Sequence, residues 1–424
     1  MLPSIYESMW TEPLEDDTEL VRQAALRIEA LNEDFFIAAG RAGDNVRSAP
    51  HAQDDPEQPP PNRKHMTHEL SRIESGTVVI DGSHGEGGGQ ILRTGLSLAA
   101  ITGRPAEIVN IRAARTNPGL RPQHLAAVHA ARAICGADVS GAEIGSRSLT
   151  FVPGAAVIPG TYRFKIGTAG AATLVLQTVL IPLALALSAS DVTVTGGTHV
   201  PHAPTAEYLE QVHLAALNRI GIESKASVTS FGFFPKGGGE MSMEIGASHL
   251  SAIDLVEKPA KLNRLTAYIS TSNLPSHVDE RGGRTFMELL RVRNLKSARV
   301  VPCSLPSPGP GAAVTLVAET ASGAVPGFSA IGERGKPMER VVAEACEQFW
   351  LWHKSSAACD EHLADQLVLA AAVTSGKHRW STVRVTEHLR TALWVAKQFL
   401  PIETEIEKRE DGSGLVTVVG AAKA

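Results

Sequence analysis

Residues 81–93, DGSHGEGGGQILR, place five glycines within residues 82–89, two carboxylates (Asp81 and Glu86) and an arginine, Arg93, at the start of an apolar-periodic segment. The run Val78-Val79-Ile80 precedes this loop, and Ile91, Leu92, Leu96 and Leu98 follow it. The pattern reads as strand, glycine loop, helix. Glycine permits positive φ and close approach of backbone to a ligand. A helix N-terminus offers free N–H groups and positive potential to an anion. In that setting Asp81, Glu86 and Arg93 are candidates for a metal ligand and a phosphate clamp. The loop has no Lys-Ser/Thr after it and lacks the GxGxxG spacing, so it matches neither common nucleotide fingerprint. Taken alone it is equally compatible with a glycine-rich turn.

Other residues add chemistry by their spacing. His362, Asp365 and Gln366 share one face of a helix beginning near Glu361, because positions three and four apart are neighbours. His388 follows a β-branched run, Ser381–Val385, and stands where a helix opens near Thr386. Arg112, Arg115 and Arg121 are candidates for a local basic patch.

These residues need a scaffold, and the chain supplies a repeated one. Its 424 residues suffice for two or more domains. The periodicity predicts paired helices in three copies: Gln90–Ile101 with Gln123–Cys135, Ala171–Leu187 with Thr205–Ile220, and Glu361–Ala372 with Thr386–Phe399. β-Branched runs such as Asp191–Thr195 and Ser381–Val385 separate the helices. The βαβα pattern argues for helices packed on sheets. Residues 258–355 interrupt the third copy. They read as strand (Leu265–Ser270), helix (Arg284–Arg293), strand (Ala312–Ala318) and helix (Pro337–Trp352). The expected division is an N-terminal extension over 1–76, a body over 77–257, an insert over 258–355 and completion of the body over 356–424. Within the extension, Leu20, Ala24, Ile28 and Leu31 predict an amphipathic helix, and PEQPPPNRKH a disordered tract. Met66 is a candidate alternative start.

The quoted stretches also carry a resemblance. DGSHGEGGGQILRTGLSLAAITGRP, IRAARTNPGLRPQHL, IGTAGAATLVLQT, GGTHVPHAP, FGFFPKGGGE, EHLADQLVLA and EHLRTALWVAKQFLP resemble, in order, the RNA 3′-terminal phosphate cyclase family. The resemblance covers about residues 77–405. It implies an α/β (α+β) fold of three βαβαββ units, similar to the C-terminal domain of a translation initiation factor, with a smaller inserted α/β domain. It implies ATP as co-substrate with Mg²⁺ or Mn²⁺, and an RNA with a 3′-phosphate end as partner. His388 is then the nucleophile that carries AMP. A neutral imidazole suits the role near neutral pH, provided its other nitrogen is protonated and held by an acceptor, often a backbone carbonyl. Glu86 is the implied metal ligand. Gln177, Pro204, His362, Asp365 and Gln366 are the implied ATP contacts. Arg93, Arg112, Arg115, Gln123 and His124 would line the phosphate and RNA-end pocket. The family motif usually has tyrosine where His362 stands, so the stack on adenine has less area.

Charge is compatible with such a partner once it is divided. The net charge is −5, but residues 1–65 hold six Lys/Arg against thirteen Asp/Glu, leaving the rest of the chain at +2. A near-neutral body with one basic patch suits an RNA end and not a long duplex. No apolar run of membrane length occurs. Four cysteines without CxxC spacing and an acidic N-terminus without an apolar core point to a cytoplasmic protein. A homodimer is one option for its assembly. A non-catalytic relative used in RNA processing or ribosome assembly is the rival reading. Such relatives lack the histidine, whereas His388, Glu86 and Arg93 are all present here.

Overall fold

The computed structural model describes residues 76–258, 261–320 and 325–420. The extension expected over 1–76, with its amphipathic helix and proline-rich tract, lies outside the described residues apart from Gly76.

Alternating burial builds the first unit. β1 (Val78–Asp81) and β2 (Ala106–Val109) turn Val78, Ile80, Ala106 and Ile108 inward and pair in parallel. α1 (Gly89–Thr102) connects them, and α2 (Pro122–Cys135) leads to the antiparallel β3 (Asp138–Ser140) and β4 (Leu149–Val152). The strand order is β1-β2-β4-β3. The second unit repeats it with β5 (Thr161–Lys165), α3 (Ala172–Ala184) and β6 (Ser190–Gly196). α4 (Ala206–Tyr208) then runs through a π-helical turn, Leu209–Leu214, into α5 (Ala215–Arg219). β7 (Ser224–Ser230) and β8 (Gly239–Ile245) close the order β5-β6-β8-β7.

β9 (Asp254–Leu255) begins a third sheet, which the chain leaves at once. β10 (Leu262–Ser272), α6 (His277–Val292), β11 (Ala298–Ser304), β12 (Gly311–Thr320), β13 (Gly327–Ile331) and α7 (Met338–Lys354) form a separate sheet ordered β11-β10-β12-β13. α8 (Glu361–Val373), β14 (Gly376–Thr382), α9 (Glu387–Phe399), β15 (Glu403–Lys408) and β16 (Gly414–Gly420) return to the third sheet. Its order, β9-β14-β16-β15, reproduces that of the first two. The result is an α+β fold of three like units and one inserted sheet. The three units share one apolar core, and the inserted sheet has its own around Phe286, Phe349 and Trp352.

The apolar stretch around Leu174–Leu187 forms α3, with Pro182 inside it. Proline cannot donate to the carbonyl four residues back. That carbonyl, Thr178 O, instead accepts from Ser97 Oγ of α1 at 2.7 Å. The break in one helix thus becomes a tie to its neighbour.

Several boundaries differ from expectation. The strand before His388 is Gly376–Thr382 and not Ser381–Val385. Its charged-looking sequence conceals His378 and Trp380, both fully buried. α6 begins at His277, a full two turns before Arg284, and β11 and β13 lacked a clear signal. Among the described residues no helix is long and apolar enough to cross a membrane. All four cysteines are free.

Candidate active site

Thr386 caps α9: its Oγ1 accepts the Leu389 N–H at 3.1 Å. This places His388 in the first turn, facing the first unit. Its Nδ1 lies 2.7 Å from Gln90 Oε1, in the first turn of α1. A side-chain amide therefore stands where a backbone carbonyl was expected. An amide oxygen only accepts, so Nδ1 carries a proton. Nε2 faces Glu86 Oε2 at 2.8 Å. That contact is an ion pair only while the ring is protonated; in the neutral ring Nε2 carries the free lone pair. Burial draws the ring's pKa below the ordinary histidine value; Arg93, His362 and Arg115 act the same way, and Glu86 opposes them.

The glycine loop is pinned to α9 beside this contact. His84 stacks on Trp394 with centroids 3.8 Å apart and planes 9° from parallel. At Gly85, φ is +56° and a Cβ would meet Thr391 Oγ1. Farther along, a Cβ on Gly89 would lie 2.9 Å from Arg93 Nη1 and closer still to His124 Nε2. On Gly88 it would lie 3.2 Å from Arg115 Nη2. The missing side chains let three donors crowd the free N–H groups that open α1, a setting made for an anion. His124 Nδ1 accepts the Arg121 N–H at 3.1 Å, so Nε2 bears the hydrogen. Burial, reinforced by Arg93, Arg112 and Arg121, holds this imidazole down to about 3, so it stays neutral.

Next to the cradle lies a cavity of about 540 Å³. α1 and α9 contribute Gln90, Arg93 and His388 to its wall; α3 contributes Gln177, the loop before α4 Pro204, and α8 His362, Asp365 and Gln366. Burial raises the Asp365 carboxyl well above its usual range, Asp360 adds to this, and Arg93 opposes it. Burial also lowers the Arg93 guanidinium to about 10, still a cation at neutral pH.

The model of the family described as RNA 3′-terminal phosphate cyclase matches residues 84–406. Relatives that bear the same name come from Nostoc punctiforme, 45% identical over 76% of this chain and 94% of that protein, and Methylococcus capsulatus, 42% identical over 80% and 96%. A third, from Pyrobaculum neutrophilum, is 42% identical over 78% of this chain and 95% of that protein. The chain belongs to the RNA 3′-terminal phosphate cyclase family.

Within this cyclase-family site, not every candidate reaches the cavity. Arg115 and Glu86, bonded to each other at 3.2 Å, lie outside its lining, and Glu86 meets it through His388. Arg112 has φ +55° and turns its guanidinium onto its own loop, at 2.6 Å from Asn117 O. Gln123 Oε1 accepts the Ala171 N–H at 3.1 Å and so fixes the start of α3. Both act here as structural ties.

Other contributors carried no signal in the sequence. Gln90 was visible in the loop, yet nothing local revealed its partner. Asp360 caps α8: Oδ1 accepts from His362 N at 2.9 Å, Leu363 N at 3.0 Å and Tyr208 Oη at 2.8 Å, and Oδ2 from Gly327 N at 3.0 Å. One carboxylate therefore joins α8, the second unit and the inserted sheet. His199 is fully buried. Its Nε2 lies 2.7 Å from Glu207 Oε2, and Glu207 Oε1 accepts from Ser270 Oγ at 2.6 Å.

Proposed function

We propose that the protein uses ATP to convert an RNA 3′-terminal phosphate into a 2′,3′-cyclic phosphodiester, carrying AMP on His388. The observation behind this reading is the imidazole fixed at Nδ1 by Gln90, with Nε2 turned toward the phosphate cradle at the cavity's edge. Nε2 attacks the α-phosphorus of ATP and pyrophosphate leaves. An oxygen of the RNA 3′-phosphate then takes the AMP, giving an RNA-(3′)pp(5′)-adenosine end and freeing the histidine. The neighbouring 2′-hydroxyl, losing its proton, attacks the 3′-phosphorus and expels AMP. This last step is intramolecular, so positioning supplies much of the acceleration.

Arg93, Arg115 and His124 Nε2–H surround the N-terminus of α1 and stabilise charge on the transferring phosphate. Pro204 and His362 bound the space for the base, with Gln177, Asp365 and Gln366 around it. Among the described residues no group of three or more metal-ligating side chains exists. A single carboxylate suits a hard ion that keeps water and substrate phosphates as its other ligands. Glu86 would hold the Mg²⁺ or Mn²⁺ ion, which supplies charge neutralisation at the phosphates. The rival reading, a non-catalytic RNA-processing factor, offers no use for a histidine clamped at one nitrogen beside a phosphate cradle.

The test is incubation with ATP labelled at the α-phosphate and either metal. Acid-labile, base-stable label on the protein is expected, discharged by an RNA with a 3′-phosphate, which gains a cyclic end. A folded protein that stays unlabelled, with RNA ends unchanged, removes this reading.

A further inference from the structure

A buried imidazole beside the same cavity has a hydrogen to donate and nothing to receive it. His213 leaves only 4% of its surface exposed and lines the cavity. It stands in the π-helical turn Leu209–Leu214, which shifts its side chain out of the α-helical register. Gln177 Nε2 lies 3.1 Å from His213 Nδ1. An amide nitrogen only donates, so Nδ1 accepts and Nε2 carries the hydrogen. Among the described residues Nε2 has no partner, and neither has Gln366 Oε1 on the cavity wall supplied by α8. One is an unmet donor and the other an unmet acceptor. Leaving either buried and unpaired is unfavourable, and a ligand that satisfied both would gain two hydrogen bonds. Burial holds His213 down to about 3, so it remains a neutral single donor across the working range.

We propose that His213 is a specificity residue for adenine, donating from Nε2 to N1 of the base while Gln366 Oε1 accepts from the exocyclic amine. Adenine offers an acceptor at N1 beside a donor at the amine. Guanine offers the reverse, a donor at N1 beside a carbonyl, so donor would face donor and acceptor face acceptor. A site that hydrogen-bonds its substrate rejects the mismatched analogue more strongly than apolar contact can. The inference rests on the reading of ATP as co-substrate.

The experiment measures the nucleotide concentration giving half-maximal labelling and the maximal labelling rate, for ATP, 1-deaza-ATP, 7-deaza-ATP and GTP. Wild type, His213→Leu and His213→Gln are compared. For wild type, 1-deaza-ATP is expected to need about 10-fold more nucleotide, with little change in maximal rate, as for one lost hydrogen bond. 7-Deaza-ATP should behave as ATP. In His213→Leu, ATP should fall to the level of 1-deaza-ATP, and the preference for ATP over GTP should narrow. His213→Gln keeps an N–H donor and should recover part of the difference. Equal handling of ATP and 1-deaza-ATP by the wild type overturns the proposal, as does a penalty on 7-deaza-ATP instead. If His213→Leu does not fold, the wild-type analogue series decides alone. Absence of any wild-type label with ATP counts against the proposed function; label indifferent to N1 counts against His213.

Discussion

At the reactive end of the cavity, where the first and third units meet, His388 and Glu86 leave 42% and 32% of their side chains exposed. Where the second unit meets the inserted sheet, His199 and Glu207 leave 0% and 10%. Both are His–Glu contacts under 3 Å, and solvent gives them opposite roles. An exposed histidine–carboxylate contact contributes little, about 0–1 kcal/mol even when both groups are charged, and opens readily. On the proposed mechanism, that suits a histidine that exchanges a carboxylate for a phosphorus. A buried pair is different: removing one partner strands a charge in a dry site, at about 3–5 kcal/mol. Burial alone would raise the Glu207 carboxyl, but His199 and Ser270 more than offset it and the net shift is downward. The same contact is labile at the His388 end of the cavity and fixed where the second unit joins the inserted sheet.

The largest effect should come from breaking the labile end. His388→Ala is expected to abolish protein labelling by α-labelled ATP, yet shift stability by no more than about 0.5 kcal/mol, as for a partly exposed residue. Labelling and thermal unfolding on one sample check both halves. Retained label in His388→Asn would move the nucleophile elsewhere. The wild-type labelling rate should also hold its plateau below the ordinary histidine range. The ring's lowered pKa keeps it neutral there, and the rate should fall only when the imidazole takes a second proton.

Breaking the joined walls should reverse the pattern. Asp360→Ala deletes the α8 cap and leaves Tyr208 Oη and Gly327 N without their acceptor. A loss of about 3 kcal/mol in unfolding free energy is expected. Labelling should persist at saturating ATP with a raised half-saturating concentration, because His362 and Asp365 sit on the loosened helix. Denaturant unfolding and ATP titration measure these; unchanged stability would dissolve the contrast. Glu86→Gln is milder, keeping the shape while removing the negative charge offered to a cation. It should shift the Mn²⁺ and Mg²⁺ dependence of labelling by about 10-fold while leaving binding of a 3′-phosphate RNA nearly intact. Identical metal titrations for mutant and wild type would detach Glu86 from the ion.

The helices of the repeats were legible because they are apolar runs at helical period, and Thr386, where the last of them was expected to open, caps it. The βαβα alternation was legible from those runs, and the full βαβαββ unit only through the family resemblance. β14 was not, since alternation of Lys377, His378, Arg379 and Trp380 looks polar. His378 is accommodated inside because it accepts from Ile253 N at 3.1 Å and bonds Thr374 O at 2.9 Å. Such partners are set by topology and leave no local trace. The same holds for Gln90 and His388, 298 positions apart, and for Tyr208 and Asp360, 152 apart. Arg112 and Gln123 show the converse: their motif positions single them out, but their hydrogen bonds go to the scaffold.

The smallest effect should come from a region that joins neither end. The family match begins at residue 84, and the relatives from Nostoc and Pyrobaculum are covered over 94% and 95% of their own lengths by about three quarters of this chain. Residues 1–65 hold six basic against thirteen acidic side chains. A chain beginning at Met66 should therefore keep both adenylylation and cyclisation, within about two-fold of the full chain. If the acidic segment competes with RNA phosphates for Arg115 and its neighbours, removing it should tighten RNA binding at low salt. That gain should vanish as salt shortens the screening length to about 8 Å at physiological ionic strength. RNA affinity measured for both chains across a salt series separates a screened electrostatic effect from a contact within the catalytic body. A soluble, folded Met66 chain without labelling would mean that one of the two cavity walls depends on residues ahead of β1, and the contrast between them would need a third partner.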